Sequence, residues 1–459
     1  MSWPHYLQQH QPRFIQQLMD FLRIPSVSAE PALLPEVWRC AQWLQQRLVD
    51  AGLESVEILP AGEYPLVYAE WLHAEEGAPT ILIYGHFDVQ PAGDEALWIH
   101  PPFEPWIADG RLYGRGATDD KGNMLVPVLT IEALLRTQGR LPVNVKLLFE
   151  GQEEILSPDL PGFICQHKAR LNCDLAVSAD GWQWSESEAD LRTGLRGLCA
   201  LEIEVNGPRQ ELHSGSYGGA LANPIHALAS LIAGLHDENG QVAVPGFYQQ
   251  VQAVNSAERQ ALAAIPFSES TFLARSGAPA LSGESGYSTL ERIGLRPTLE
   301  VNGITGGYDG PGVKTIIPAR ASAKITCRLV PNQQPEQIAH CVAEALRQRA
   351  PAGITLAVTV LPNAAHPYRM PLEHPGNQSA SRVLRRLYGR EPYYTKSGGS
   401  IAVLSLIEQE LGVGTVVFGF GLPDEQFHSP NEFFRLEQFA RGQMAWGQLL
   451  EELALTKWA

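Results

Sequence analysis

A chain of 459 residues is longer than a single ordinary hydrophobic core serves, so its length alone predicts two domains. Hydrophobic residues make up 44% and charged residues 18%, the texture of a globular protein and not of a disordered one. The 50 acidic residues outnumber the 34 basic ones, and the resulting charge of −16 argues against a nucleic acid or an anionic membrane as partner.

The chain starts with "MSWPHYLQQHQPRFIQQLMDFLRI", where polar residues interrupt every apolar run, so no signal peptide is expected. No stretch approaches the roughly 18 consecutive apolar residues of a membrane span. The cysteines (Cys40, Cys165, Cys173, Cys199, Cys327, Cys341) are widely spaced without a C-x-x-C pair, as reduced thiols of a cytoplasmic protein are.

Amphipathic spacing predicts helices over 5–23 and 33–52, followed by the short apolar runs "PLVYAEW" and "TILIYG". A helix-compatible segment from Lys121 to about Thr137 leads into the strand "VNVKLLFE", and "CDLAVSA" reads as a further strand ending at Asp180. Strands alternating with helices predict an α/β layer with a mostly parallel sheet. After about residue 190 the texture changes. "LCALEIEVNG" and "ASAKITCRLV" alternate apolar and polar residues with period two, and helical stretches near 223–235 and 335–349 accompany them. Between these, 237–297 is rich in Gly, Ser and Pro with a helical patch around 250–265. From about 370 the α/β texture returns, with a helix over 376–388, the strand "GTVVFGF" and a closing helix over 435–452. The expected architecture is one α/β domain (1–191 and 367–459) interrupted by a smaller α+β domain (192–366).

Several predicted strand ends carry His or carboxylate. "GHFDVQP" places His86 and Asp88 on one side of an extended chain, where Asp88 can hold the second ring nitrogen of a ligating histidine. Taken alone, a histidine at a strand end is more often an ordinary satisfied polar group than a ligand. "GATDDKGN" sets Asp119 and Asp120 before a helix; capping explains one aspartate but not readily both. "VKLLFEGQEEI" ends in Glu150, Glu153 and Glu154, a knot of like charge that is either a solvated turn or the neighbour of something positive. "SADG" offers Asp180, with a turn-forming Asp-Gly as the competing reading, and "FHSPNE" offers His428 in a Gly- and Pro-containing loop. Parallel sheets bring such loops to one rim. Clustered carboxylates with two histidines and no cysteine suit a pair of zinc or manganese ions. Of two adjacent glutamates, one can bind metal while the other moves a proton.

These segments, together with "LYGRGATDDKGN", "LHSGSYGG", "KTIIPARASAKITCRLVP" and "GGSIAV", fall in one order along most of the chain. In that combination the sequence resembles the co-catalytic di-metal metallopeptidases that include aminoacylase, the glutamate carboxypeptidases and the cytosolic nonspecific dipeptidase/carnosinase branch, the last most of all. The resemblance implies one divalent ion on His86 and Asp180 and another on Glu154 and His428, with Asp119 bridging. It implies Glu153 as general base to a shared water, Asp88 as the group orienting His86, and an Asp119–Asp120 bond that is often cis. It implies that 192–366 is a lid or dimerisation domain, with 237–297 resembling the longer lid of the dipeptidases. His213 would reach a neighbouring subunit's site in a homodimer and polarise the scissile carbonyl. Arg328 would pair with the substrate's free carboxylate, with Thr315 and Ser400 as further substrate contacts. No role follows for Glu150, His366 or Lys396.

The activity so implied is hydrolysis of dipeptides or similar small peptides with a free C-terminal carboxylate. Two alternatives accompany it: a deacylase of N-acyl amino acids using the same site, and a non-catalytic binding or assembly protein that keeps the fold.

Overall fold

The computed structural model describes residues 1–362 and 364–458. The chain divides into two compact units, one of Met1–Thr193, Met370–Tyr394 and Leu406–Ala459, the other of Gly194–Arg369 and Thr395–Ser405.

The first unit is built on a six-stranded sheet ordered Glu54–Ala61, Tyr64–Trp71, Asn144–Glu150, Thr80–His86, Leu175–Ser178, Thr415–Val417. The first two junctions are antiparallel and the remaining three parallel, so the sheet is mostly parallel. Its central strands are buried along nearly their whole length, as strands covered on both faces are. The helix Lys121–Gln138 is buried on all sides over its first fourteen residues, and the terminal helices Trp3–Leu22 and Leu436–Ala454 pack on it. Gly85 permits that helix to approach the sheet: a Cβ there would stand 2.7 Å from Met124 Cβ and 2.9 Å from Asp120 Oδ2.

The parallel register levels the strand ends. His86 pairs with Glu150, Tyr84 with Ser178, and Val417 with Ser178. The loops carrying His86, Glu153, Asp180 and His428 therefore leave the sheet along one rim. The strand expected over "GTVVFGF" stops at Val417, because Gly419 packs against the Gly181 backbone, where a Cβ would meet Gly181 N at 2.5 Å. A three-stranded ribbon, Phe433–Arg435 beside Arg111–Tyr113 beside Trp106–Ala108, ties the chain after His428 to the chain before Asp119.

The second unit is a four-stranded antiparallel sheet ordered Thr298–Gly306, Arg320–Leu329, Gly197–Asn206, Thr355–Val360. One face buries Leu201, Ile203, Ile325 and Cys327 under the helices Pro224–Ala233 and Pro335–Arg349. The alternating pattern of the Arg320–Leu329 strand puts Ser322, Lys324, Thr326 and Arg328 on the other face. The stretch 237–297 holds three short helices, Ser256–Ala263, Glu269–Ser276 and Thr289–Gly294, where composition points to a single helical patch. Each starts at an Asn or Ser whose side chain accepts a backbone N–H, a cap signal at Asn255, Ser268 and Ser288 that the Gly/Ser/Pro texture masks.

Candidate metal centre

Asp119 lies between two histidines. Its Oδ1 is 3.2 Å from His86 Nε2, and its Oδ2 is 2.9 Å from His428 Nε2, which also stands 3.4 Å from Glu154 Oε2. Two groups of donor atoms follow, each lying within 4.8 Å: His86, Asp119 and Asp180, and Asp119, Glu154 and His428. They share Asp119, and the peptide bond after it is cis.

The donors are those of a cation site. His86 Nε2 is buried and, despite its nearness to Asp119, makes no aligned hydrogen bond; Glu154 Oε1 is likewise buried without a hydrogen-bond partner. Burial, and then the charge of Asp119, pushes the Asp180 carboxyl up to about 6 and raises that of Glu154. Glu153 is driven well above the usual carboxylate range by burial and by Glu154, Asp180 and Asp119, against the opposing pull of His86. Burial acts the same way on Asp119, but His428 and His86 outweigh it and hold that carboxyl below its ordinary range. His86 is raised by Asp119 and Asp88 in spite of its burial, and His428 is raised to about 10 by Asp119 and Glu154. Buried carboxylates gathered without positive charge cost roughly several kcal/mol, a cost that divalent ions at the two groups would offset. With nitrogen and carboxylate donors and no thiolate, the set fits zinc or manganese.

Asp88 is fully buried and holds more than the sequence assigns to it. His86 Nδ1 is 3.1 Å from the Asp88 carbonyl and 3.5 Å from its carboxylate. That carboxylate accepts the Ser28 hydroxyl at 2.6 Å and the backbone N–H groups of Glu153 and Glu154 at 3.1 and 3.0 Å. Its carboxylate thus positions the Glu153–Glu154 turn, and its carbonyl the His86 ring. Glu150 accepts the Tyr84 hydroxyl at 2.6 Å and is pushed up to about 7 by burial; it joins neither donor group.

Sequence reasoning gave no role to Glu432, which closes "FHSPNE". Its buried carboxylate accepts Arg115 Nη1 at 2.9 Å and the backbone N–H groups of Gly116, Thr118 and Asp119 at 2.9, 3.0 and 3.1 Å. Glu425 accepts the Thr118 hydroxyl at 2.8 Å, and Asn123 donates to the carbonyls of Thr118 and Gly181 at 2.7 and 3.3 Å. Lys121, also buried, donates to the carbonyls of Phe21 and Ile24 and so fastens the end of the first helix beneath the Asp119 loop. The signal was present at Glu432, a carboxylate four residues after His428 inside a motif, but its partners lie more than 300 residues away.

In the second unit the remaining predicted residues form two pairs. Arg328 Nη1 donates to Ser400 Oγ at 2.9 Å, and Ser400 donates to the Arg196 carbonyl at 2.5 Å. His213 and Thr315 sit on a short ribbon where Leu212–His213 pairs with Ile316–Ile317, and Ser214 N donates to the Thr315 carbonyl at 3.0 Å. Both His213 and Thr315 are exposed. His213 Nδ1 accepts the Gly215 N–H at 3.0 Å, which leaves the ring proton on Nε2. Lys396 is paired with Glu258, and His366 is half-buried near the bridge of Ala365 with Leu198.

The description Peptidase family M20/M25/M40 matches residues 82–452. The chain is 31% identical over 458 residues to the Cys-Gly metallodipeptidase dug1 of Schizosaccharomyces pombe, covering 96% of this chain and 95% of that protein. It is 28% identical over 467 residues to the Beta-Ala-His dipeptidase of Mus musculus, covering 98% and 94%. The solved structure of the di-peptidase Dug1p from Saccharomyces cerevisiae superposes with a TM-score of 0.85 at 25% identity, covering 99% of this chain and 98% of that one.

Proposed function

From the premise that the chain belongs to Peptidase family M20/M25/M40, we propose that it is a metallopeptidase that hydrolyses dipeptides with a free C-terminal carboxylate. The observation that carries this reading is the pair of donor groups sharing Asp119, with Glu153 on the same turn as a ligand. His86 and Asp180 would hold one divalent ion, Glu154 and His428 the other, and Asp119 both. Zinc or manganese bound there supplies Lewis-acid polarisation of the carbonyl and neutralises the buried carboxylates.

The chain's own residues do the rest. Glu153, its backbone fixed by Asp88, takes a proton from the attacking water and returns it to the leaving amine nitrogen. His213, with its proton on Nε2, donates to the carbonyl oxygen as negative charge develops there. Arg328, steadied by Ser400, receives the substrate's carboxylate, which a guanidinium matches with two parallel hydrogen bonds. Thr315 lies beside His213 and completes the contacts to substrate. The exposure of the His213–Thr315 ribbon supports a homodimer in which His213 serves the partner's site. The second unit, with 192–366 as its expected core, would be the lid and dimerisation domain. The dipeptidase names of the relatives favour peptides over N-acyl amino acids and over a non-catalytic role.

Among the described residues no helix is long and apolar enough to cross a membrane. The free state of the six cysteines supports a reducing, cytoplasmic setting. A screen of dipeptides and N-acyl amino acids with manganese, zinc and chelator tests the reading. Metal-dependent release of amino acids from dipeptides is expected; turnover of acylated amino acids alone would favour the deacylase.

A further inference from the structure

A cavity of about 700 Å³ in the second unit opens on the sheet face opposite its core. Thr298 and Glu300 line it from one strand, and Thr326 and Arg328 from the next, where Arg328 stands across from Thr298 and Thr326 across from Glu300. Four guanidiniums, those of Arg196, Arg292, Arg296 and Arg328, meet only two carboxylates in the lining, Glu284 and Glu300. Arg296 and Glu284 cancel, joined by two hydrogen bonds of 2.7 Å. That leaves three guanidiniums to one carboxylate, in a chain where acidic residues are in large excess.

None of the three is in an ion pair among the described residues. Arg196 is spent on the carbonyls of Gly398 and Arg296 at 3.1 and 3.2 Å, and Arg328 on the Ser400 hydroxyl. Arg292 donates from Nε to the Glu284 carbonyl at 2.8 Å and from Nη1 to the Ser282 carbonyl at 3.1 Å. Burial, and the charge of Arg328 beside it, pushes Arg196 down to about 10, and burial lowers Arg328 as well. Neighbouring guanidiniums that are each half-buried favour an anion placed among them. Glu300 answers one positive charge, and the substrate's terminal carboxylate, on the reading above, answers Arg328. One positive charge is left over.

We propose that this cavity receives a substrate C-terminal residue bearing a second carboxylate, so that the preferred dipeptides end in Glu or Asp, with Arg292 receiving the side-chain carboxylate. The choice of Arg292 follows from its anchoring: two of its nitrogens are fixed on carbonyls, so the planar head is held in place with Nη2 available to a ligand. The proposal rests on the dipeptidase reading and on Arg328 as the receptor of the terminal carboxylate.

The test compares kcat/KM for Ala-Glu, Ala-Gln and Ala-Lys, since Gln has the shape of Glu without its charge. Ala-Glu is expected to exceed Ala-Gln by roughly five- to tenfold, and Arg292→Gln to bring that ratio to about one while Arg292→Lys retains most of it. Equal rates for Ala-Glu and Ala-Gln, a preference for Ala-Lys, or a ratio that survives Arg292→Gln would overturn the proposal. Calorimetry of free glutamate against free glutamine on the wild-type protein and on Arg292→Gln reads the same cavity without turnover. Selective glutamate binding lost in the variant, with no dipeptide cleaved, would sustain the cavity and sink the dipeptidase reading. Dipeptide cleavage with no glutamate preference in either assay would do the reverse.

Discussion

Replacing Glu432 by Gln is the change that most directly probes how the fold aims Asp119. The carboxylate takes four hydrogen bonds of 2.9–3.1 Å, three from the backbone N–H groups of Gly116, Thr118 and Asp119 and one from the buried guanidinium of Arg115. An amide presents one oxygen and turns an NH₂ toward donors that need an acceptor. At least one buried N–H loses its partner, at about 1–3 kcal/mol, and the Arg115 charge loses its counter-ion, where breaking a buried pair costs about 3–5 kcal/mol. Allowing for overlap and for the second bond of Arg115 to the Pro91 carbonyl, the destabilisation is set at about 3–4 kcal/mol. At roughly 2 °C per kcal/mol for a unit of this size, the melting midpoint should fall by about 6–8 °C in calorimetry. Metal affinity should fall with it, because the N–H of the bridging residue is one of the four donors. A midpoint within about 1 °C of wild type, with full metal content, would refute the assignment of Glu432 as the anchor of that loop.

Asp119→Ala should empty both metal positions together, read as loss of both ions per chain by elemental analysis, since the two donor groups share only that residue. His213→Ala should lower kcat by about 10²–10³ while leaving metal content intact, because an oxyanion donor acts in the transition state and holds no ion. Gly85→Ala should destabilise by about 1–3 kcal/mol, seen as a lowered melting midpoint, because its methyl must displace Met124 and Asp120.

How far the sequence carries differs between kinds of feature. The gathering of these donor residues on one rim was legible because it depends on local facts: His86 ends a short buried strand, Glu154 and Asp180 come just after others, and parallel pairing then sets the strand ends level. The helix from Lys121 was legible for the same reason, with its end at Gln138 one residue beyond the expected Thr137. What escaped depends on partners distant in the chain. Glu432 reads as the tail of a motif until the N–H groups of 116–119 are placed around it. Asp88 reads as a partner of His86, yet its carboxylate is mainly engaged by Ser28 and the Glu153–Glu154 backbone. The helix Ala402–Leu411 starts within "GGSIAV" but was hidden by the Gly pair before it, and the Thr395–Ser405 segment groups with the second unit through contacts such as Lys396 with Glu258 and Ser400 with Arg328. The charge of the cavity could not be read from composition at all, since a chain of −16 gives no sign of a locally basic pocket.

The central claim is a division of labour between adjacent glutamates, Glu154 on metal and Glu153 on the proton. It is tested most directly by measuring metal content and dipeptide turnover on one preparation of Glu153→Gln. The account predicts two divalent ions per chain, as in the wild type, with turnover reduced by about 10²–10⁴ or more. Near-normal turnover, or loss of the ions along with activity, would contradict it.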